Sequence, residues 1–216
     1  MPTSIIKTLN LIKRQVKHFI LPSVTRISFQ KDPYRVLISC ILSLRTKDKV
    51  TVSASKKLFG LADNPYDMVK LSARRIEKAI YPVGFYRNKA KSILGVSKTI
   101  ISDFRGKVPN TIEELLGFKG VGRKTANLVL GLGYNIPAIC VDIHVHRISN
   151  RLGWIRTSTA EETEEALKKI IPRSRWIELN TIKVRFGQNI CVPVSPFCSS
   201  CMVNRLCKKA GVKRFR

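Results

Sequence analysis

Two segments of helical periodicity are joined by a glycine-rich stretch, Gly117-Phe118-Lys119-Gly120-Val121-Gly122-Arg123-Lys124-Thr125-Ala126-Asn127. Gly120 and Gly122, one on each side of Val121, permit a tight turn with positive backbone angles. Such a turn exposes backbone N–H groups at the start of the next helix, and helix starts of this kind bind anions. The stretch therefore predicts a hairpin at which a phosphate of a nucleic-acid backbone docks.

Two alternatives fit the same stretch. An ordinary helix–turn–helix corner needs the same glycines and has no binding role. A nucleotide-binding phosphate loop is the second alternative, because Gly117 and Gly122 have its separation. That loop would follow a strand and would not place Arg123 directly before Lys124, so we reject the second alternative.

The 216-residue chain is strongly basic, with 40 Lys and Arg residues, 14 Asp and Glu residues and a formal net charge of +26. A compact protein with this charge is expected to bind a polyanion, and nucleic acid is the commonest one. An anionic membrane is a weaker alternative, because no apolar run approaches the roughly 18 residues of a membrane-spanning helix. A solvated basic surface without a partner is the third interpretation.

Apolar residues recur every three or four positions along most of the chain, and the alternation typical of strands is nowhere sustained. Helices are predicted at 34–44, 49–59, 66–80, 88–101 and 111–116, with an amino-terminal helix that Pro22 closes. Thr159 and Glu162 form a predicted capping box that opens a helix running to Ile171. Prolines and glycines separate these segments at short intervals, which indicates an all-α protein with short connections.

Four of the six cysteines are clustered as Cys191, Cys198, Cys201 and Cys207. We find no secretory pattern ahead of them, so we expect a metal site rather than a disulfide framework. Four thiolates this close together can surround a zinc ion or an iron–sulfur centre, and the spacing alone leaves both open. Cys40 and Cys140 lie in apolar runs and are expected to be small buried hydrophobic residues.

Four motifs in sequence order carry a family resemblance that extends over about residues 30 to 210. They are Leu42-Ser43-Leu44-Arg45-Thr46-Lys47-Asp48, Tyr81-Pro82-Val83-Gly84-Phe85-Tyr86-Arg87-Asn88-Lys89-Ala90, Gly120-Val121-Gly122-Arg123-Lys124-Thr125-Ala126-Asn127 and Val141-Asp142-Ile143-His144-Val145-His146-Arg147. Followed by the cysteine cluster, they resemble the endonuclease III family of helix-hairpin-helix DNA glycosylases.

The resemblance implies an all-α, two-lobed glycosylase fold. Residues 26–136 would form a six-helix barrel lobe that carries the hairpin. Residues 1–25 and 137–216 would form a helical lobe, with a [4Fe–4S] cluster bound by Cys191, Cys198, Cys201 and Cys207 in the loop at 191–207.

The resemblance also implies a catalytic pair, in which Lys124 is the nucleophile and Asp142 assists it from the opposite side of a DNA-binding cleft. A carboxylate stabilises positive charge on the sugar as the damaged base leaves, and an uncharged amine attacks the sugar carbon. We expect partial burial and neighbouring cations to favour the uncharged Lys124 amine. Without a catalytic role, Lys124 would be a solvated phosphate contact and Asp142 a helix cap.

Contacts with DNA are implied for the hairpin residues Gly120, Val121, Gly122 and Arg123 and for His144. In the family, the residue matching Arg45 and the loop matching Val83 to Phe85 enter the duplex where a base is rotated out of the stack. A core position is an equally good interpretation of Phe85. Arg45 replaces a glutamine of the bacterial pattern and Phe118-Lys119 replaces a Leu-Pro pair, so the preferred lesion stays open.

The resemblance therefore implies a base-excision repair enzyme that removes oxidised pyrimidines from duplex DNA and cleaves the abasic strand by β-elimination. We expect a monomer in the cytoplasm, associated with the nucleoid, with damaged or abasic double-stranded DNA as its partner and no membrane. One alternative is a monofunctional mismatch glycosylase, against which Lys124 argues. The other is a non-enzymatic DNA-binding module, in which Lys124→Gln and Asp142→Asn would change no biochemical property.

Overall fold

The computed structural model describes residues 2–216, with side chains from residue 4 onward. Over this range the regular secondary structure is entirely helical, which confirms the all-α prediction. The described α-helices are α1 (Pro2–Gln15), α2 (Ser23–Ser28), α3 (Pro33–Ser43), α4 (Asp48–Phe59), α5 (Pro65–Met68), α6 (Ala73–Ile80), α7 (Tyr86–Phe104), α8 (Ile112–Leu116), α9 (Arg123–Leu128), α10 (Ile143–Leu152), α11 (Ala160–Ile170) and α12 (Trp176–Asn189). Among the described residues, none of these helices is long and apolar enough to cross a membrane.

The chain divides into two compact units. We call Ser23–Ile136, which contains α2 to α9, the hairpin unit. The residues up to Pro22, together with Pro137–Arg216, form the cysteine unit, which contains α1 and α10 to α12.

The core of the hairpin unit is organised around α3, which packs against α2, α4, α7 and α9. Val36 to Leu42 of this helix are buried, because its apolar side chains face neighbours on all sides. Asp32 begins α3 by accepting hydrogen bonds at Oδ1 from the backbone N–H groups of Tyr34 and Arg35. Cys40 is buried within the helix, as predicted.

The core of the cysteine unit combines apolar residues of α1, α10, α11 and α12. Leu9, Ile148, Leu167, Leu179 and Phe186 are among the buried side chains of this cluster. The predicted capping box is present: Thr159 accepts from the N–H of Glu162, and the Glu162 side chain accepts in return. Cys140 is buried, as predicted.

Three segments differ from the sequence-based prediction. The helix predicted at 66–80 is two helices, α5 and α6, because the Ser72 side chain accepts from the Arg75 N–H and caps a new helix. Helix α1 ends at Gln15, well before Pro22. Helix α9 continues directly into a π-helix, Val129–Gly133, which no feature of the sequence predicted.

Candidate active site

The hairpin joins α8 to α9 as the glycine pattern predicted. Gly120 has a φ of +86°, a left-handed conformation that favours glycine. The backbone N–H of Val121 donates to Phe118 O at 3.0 Å and closes the turn. The side chains of Val121 and Phe118 are buried, and Phe118 packs edge-to-face on Phe104. The hairpin is therefore anchored by its apolar side chains, while Gly120 and Gly122 are exposed.

Helix α9 begins at Arg123, with Gly122 as its N-cap residue and no side-chain cap. Gly122 brings no side chain into this helix start, and a Cβ added there would meet nothing within 4 Å. Backbone N–H groups in the first turn of a helix are suitable partners for a phosphate. The hairpin thus has the geometry expected of a phosphate-binding turn.

Lys124 is the second residue of α9, and its side chain is exposed. The expected partial burial of Lys124 is therefore wrong for the described structure, because only Thr125 and the residues after it turn into the core. Lys124 acts electrostatically on the buried thiol of Cys40, whose pKa is raised by burial to about 12. An exposed amine in this position is reachable by a large substrate such as DNA.

Asp142 is the N-cap residue of α10 in the cysteine unit. Its Oδ1 accepts hydrogen bonds from the backbone N–H groups of His144 at 2.9 Å and Val145 at 2.8 Å. A carboxylate is the favoured side chain at such a position, since the helix N-terminus carries partial positive charge. The helix-cap role considered from the sequence is thus present, and it fixes the carboxylate while Oδ2 can accept from a further partner.

His144 and Arg147 attach the start of α10 to α12. Arg147 Nη2 lies 3.2 Å from His144 Nδ1 and donates to Cys191 O at 2.9 Å and Gly187 O at 3.3 Å. A Cβ at Gly187 would lie 2.3 Å from His144 Nδ1, so only glycine permits this approach. Burial lowers the pKa of Arg147. These contacts hold the helix start that carries Asp142.

The two expected wedge segments meet within the hairpin unit. The guanidinium of Arg45 lies 5.0 Å from the ring centre of Phe85 in a cation–π arrangement. Phe85 is 57% exposed, so the core interpretation of this residue is wrong. Val83 is buried, with 1% of the residue exposed, so the expectation that it reaches DNA is wrong for the described structure.

The four clustered cysteines line one pocket of the cysteine unit. Apolar residues from α10 and α12, including Ile148 and Phe186, line the rest of it. Arg151 Nη1 donates to Cys191 Sγ at 3.5 Å, and the backbone N–H of Lys209 donates to Cys207 Sγ at 3.3 Å. In the described part of the chain, no three His, Cys, Asp or Glu side chains are arranged to hold a single metal ion.

Two buried lysines were missed from the sequence. Lys89 of α7 is 7% exposed, and burial lowers its pKa to about 8. Lys183 of α12 is fully buried, and burial lowers its pKa well below the usual range. The position of Lys89 inside one of the four family motifs was the only sequence feature that could have distinguished it from a surface lysine. The sequence around Lys183 gave none.

Comparison with known proteins identifies the family. Residues 38–173 match the family model described as HhH-GPD superfamily base excision DNA repair protein. The chain belongs to this superfamily. The match spans the hairpin with Lys124 and also Asp142, although the two residues lie in different units.

Individual members of the superfamily align over most of the chain. An endonuclease III of Thermotoga maritima is 48% identical over 83% of this chain and 84% of its own length. A chloroplastic endonuclease III homologue of Arabidopsis thaliana is 42% identical over 82% of this chain, which spans about half (48%) of that homologue. A solved structure of a trapped endonuclease III–DNA covalent intermediate superimposes with a TM-score of 0.84 at 32% identity, covering 97% of this chain and 96% of the other.

These matches confirm the expected fold class and enzyme class, a DNA glycosylase and abasic-site lyase of base excision repair. The alternatives of a monofunctional mismatch glycosylase and of a non-enzymatic DNA-binding module are not favoured.

Proposed function

We propose that this enzyme removes oxidised pyrimidines from duplex DNA and cleaves the resulting abasic strand through a Schiff base on Lys124. The observation that carries the proposal is the exposed lysine in the first turn of the helix that follows the hairpin. A related enzyme has been trapped as a covalent intermediate with DNA. Among the usual covalent nucleophiles, lysine is the one that forms Schiff bases with carbonyl carbons.

In the proposed reaction, Lys124 Nζ bonds to C1′ of the damaged nucleotide while the bond between C1′ and the base breaks. The base leaves with the bonding electron pair and takes up a proton. The sugar ring then opens: O4′ leaves C1′ with the bonding electron pair and takes up a proton, which gives an imine between Nζ and C1′. Loss of a proton from C2′ then expels the 3′ phosphate, which breaks the strand by β-elimination.

Asp142 is proposed to act on the same sugar. Two backbone N–H groups fix its Oδ1, so that Oδ2 is the oxygen available to face the positive charge that develops at C1′. A preorganised carboxylate needs little rearrangement during the reaction. Asp142→Asn keeps an oxygen for the helix cap but removes the negative charge, so it separates the catalytic role from the structural one.

DNA binding is proposed to use the hairpin and the wedge segments. Gly120, Val121, Gly122 and Arg123 would hold a backbone phosphate, and His144 would contact the strand from the cysteine unit. Arg45 and Phe85 would enter the space left by the extruded base. The exposure of Phe85 and its contact with Arg45 support this, since unstacking requires about a few kcal/mol that a stacked side chain partly offsets.

Cys191, Cys198, Cys201 and Cys207 are proposed to bind a [4Fe–4S] cluster. The four cysteines line one shared pocket, and four thiol donors are the ligands that such clusters take. When bound, the cluster would cross-link the carboxy-terminal loop and supply no group to the reaction. Purified protein should be brown and lose its visible absorbance in Cys198→Ser, whereas colourless protein with one equivalent of zinc would reject the proposal.

The catalytic proposal is tested by borohydride reduction in the presence of duplex DNA containing an abasic site. Wild-type enzyme should form a covalent adduct, and Lys124→Gln should form none. Lys107→Gln, which removes another exposed lysine of the hairpin unit, should form as much adduct as wild type. Asp142→Asn should slow adduct formation by about 10²-fold or more, in line with the loss of one electrostatic stabiliser. Adduct formation by Lys124→Gln at the wild-type rate would overturn the assignment.

The enzyme is further proposed to act as a monomer on double-stranded DNA in the cytoplasm, associated with the nucleoid. Sedimentation analysis of the protein alone and with a short lesion duplex measures the stoichiometry directly. One protein per duplex is expected, and a concentration-independent dimer would contradict this.

A further inference from the structure

Lys89 is a buried charged residue that the proposed chemistry does not use. It lies in the first turn of α7, and its Nζ donates to Leu42 O at 2.8 Å, to Leu44 O and to Thr46 Oγ1 at 3.1 Å. A protonated amine has three donors, which match these three acceptors. The contacts satisfy carbonyl groups at the carboxy-terminal end of α3, directly before Arg45.

The same residue is joined to the second wedge segment. The backbone N–H of Lys89 donates to Phe85 O at 3.0 Å. Thr46 Oγ1, which accepts from the Lys89 amine, also accepts from the Gly84 N–H at 3.2 Å. Lys89 and Thr46 therefore connect the two segments through a continuous set of hydrogen bonds.

Both segments have backbone conformations that require support. Arg45 has a φ of +53° and Phe85 a φ of +58°, in the left-handed region that non-glycine residues seldom adopt. A Cβ on Gly84 would lie 2.7 Å from Arg45 O, so the two backbones are packed closely. Strain of this kind persists where the surrounding contacts hold it.

We propose that Lys89 is a positioning residue that holds Arg45 and Phe85 together as one preformed wedge, before DNA binds. The inference rests on the proposed use of these two side chains in base extrusion. Preformed segments avoid the entropy loss of ordering them in the complex. Without the Lys89 amine, the carbonyls of Leu42 and Leu44 lose their shared donor, and each segment can move independently.

The test compares two substrates. Excision of an oxidised pyrimidine from duplex DNA requires base extrusion, whereas strand cleavage at an abasic site in single-stranded DNA does not. Lys89→Met keeps the length of the side chain and removes its donors. We expect duplex excision to slow by about 10-fold or more, because a misplaced positioning group can reduce rates by up to about 10²-fold. Cleavage of single-stranded abasic DNA should stay within about twofold of wild type.

Lys91→Met is the matched control, because Lys91 is exposed on the same helix. Thr46→Val removes the shared hydroxyl and should reproduce the Lys89→Met pattern, which keeps the test open if Lys89→Met does not fold. Combining Lys89→Met with Phe85→Ala should slow duplex excision by less than the product of the two separate effects, since both changes act on the same wedge.

Three results would overturn the inference: equal slowing on both substrates, unchanged duplex excision, or full additivity of the Lys89 and Phe85 changes. Failure of the proposed function is distinguishable from failure of this inference, because wild-type enzyme would then form no borohydride adduct with either DNA.

A fluorescent base analogue placed opposite the lesion gives a direct spectroscopic readout. The fluorescence change of this analogue when wild-type enzyme binds should be lost with Lys89→Met and kept with Lys91→Met.

Discussion

Lys183 of α12 is enclosed by the cysteine unit. Its Nζ donates to Ser149 Oγ and lies 4.1 Å from the ring centre of Trp154. The side chain is fully buried, so the charged form is disfavoured, and its pKa is lowered well below the usual value. Asp142 and Cys191 act in the opposite direction but more weakly.

This buried lysine makes stability depend on pH. Because the pKa is lower in the folded state, the unfolded state binds more protons between the folded pKa and about 10.4, the ordinary lysine value. The destabilisation caused by burying Lys183 is fully present below the pKa of the folded state. It disappears as the pH rises toward the pKa of the unfolded state. Lys183→Met should remove this effect. From pH 7 to 9.5, the free energy of unfolding should rise more steeply in wild type, by up to about 1.4 kcal/mol per pH unit.

Denaturant titrations of both proteins at several pH values measure the difference. Lys168→Met is a control. In wild type, salt bridges with Glu164 and Glu165 raise the pKa of Lys168, so the effect of this lysine on the pH dependence of stability has the opposite sign. Parallel pH profiles for wild type and Lys183→Met would show that the amine is solvated.

Single residues were predictable where chemistry depends on local sequence. The turn at Gly120 was predictable because a left-handed backbone favours glycine, and the close spacing of the four cysteines agrees with their lining one pocket. The burial of Lys89 and Lys183 was not predictable, since an isolated lysine in a chain with 40 basic residues is expected to lie on the surface. The exposure of Phe85 and the burial of Val83 depend on tertiary packing, and the exposure of Lys124 was misjudged for the same reason.

The start of α10 is the element that fixes Asp142. Gly187 of α12 approaches it so closely that a Cβ would lie 2.3 Å from His144 Nδ1 and 3.0 Å from Arg147 Nη2. A methyl group here must displace the helix start or its hydrogen bonds. The Asp142 carboxylate would then move with the helix that it caps.

Gly187→Ala should destabilise the protein by about 1–3 kcal/mol through this overlap and slow base excision by displacing Asp142. Gly95→Ala is the matched control, because Gly95 is exposed within α7 and a Cβ there meets nothing within 4 Å. It should stabilise the protein by about 0.5–1 kcal/mol and leave excision unchanged. Thermal unfolding and single-turnover excision report the two effects. Equal behaviour of the two variants would refute the packing argument.

The presence of most helices was predictable from the sequence, but the positions of their ends were less predictable. Periodicity identified α3, α4 and α7 within a few residues. The division of 66–80 into α5 and α6 was missed, because apolar spacing continues across the break while Ser72 starts a new helix. The π-helix Val129–Gly133, which packs against α3, has no distinct sequence pattern.

The whole molecule carries a formal charge of +26, so its affinity for undamaged DNA should be dominated by phosphate contacts. The logarithm of the binding constant should fall linearly with the logarithm of salt concentration, by about 0.9 per phosphate neutralised. Arg123→Gln should reduce this slope by about one contact and weaken binding equally on all sequences. Fluorescence anisotropy at several salt concentrations measures both. A slope near zero would show that the basic surface does not meet DNA.

The catalytic assignment depends on which amine becomes covalently attached to the sugar. Protease digestion and mass spectrometry of the borohydride-reduced complex locate that attachment directly. We predict a reduced deoxyribose adduct on the peptide containing Lys124, at Nζ of that residue. An adduct on any other lysine, or on the amino terminus, would contradict the account.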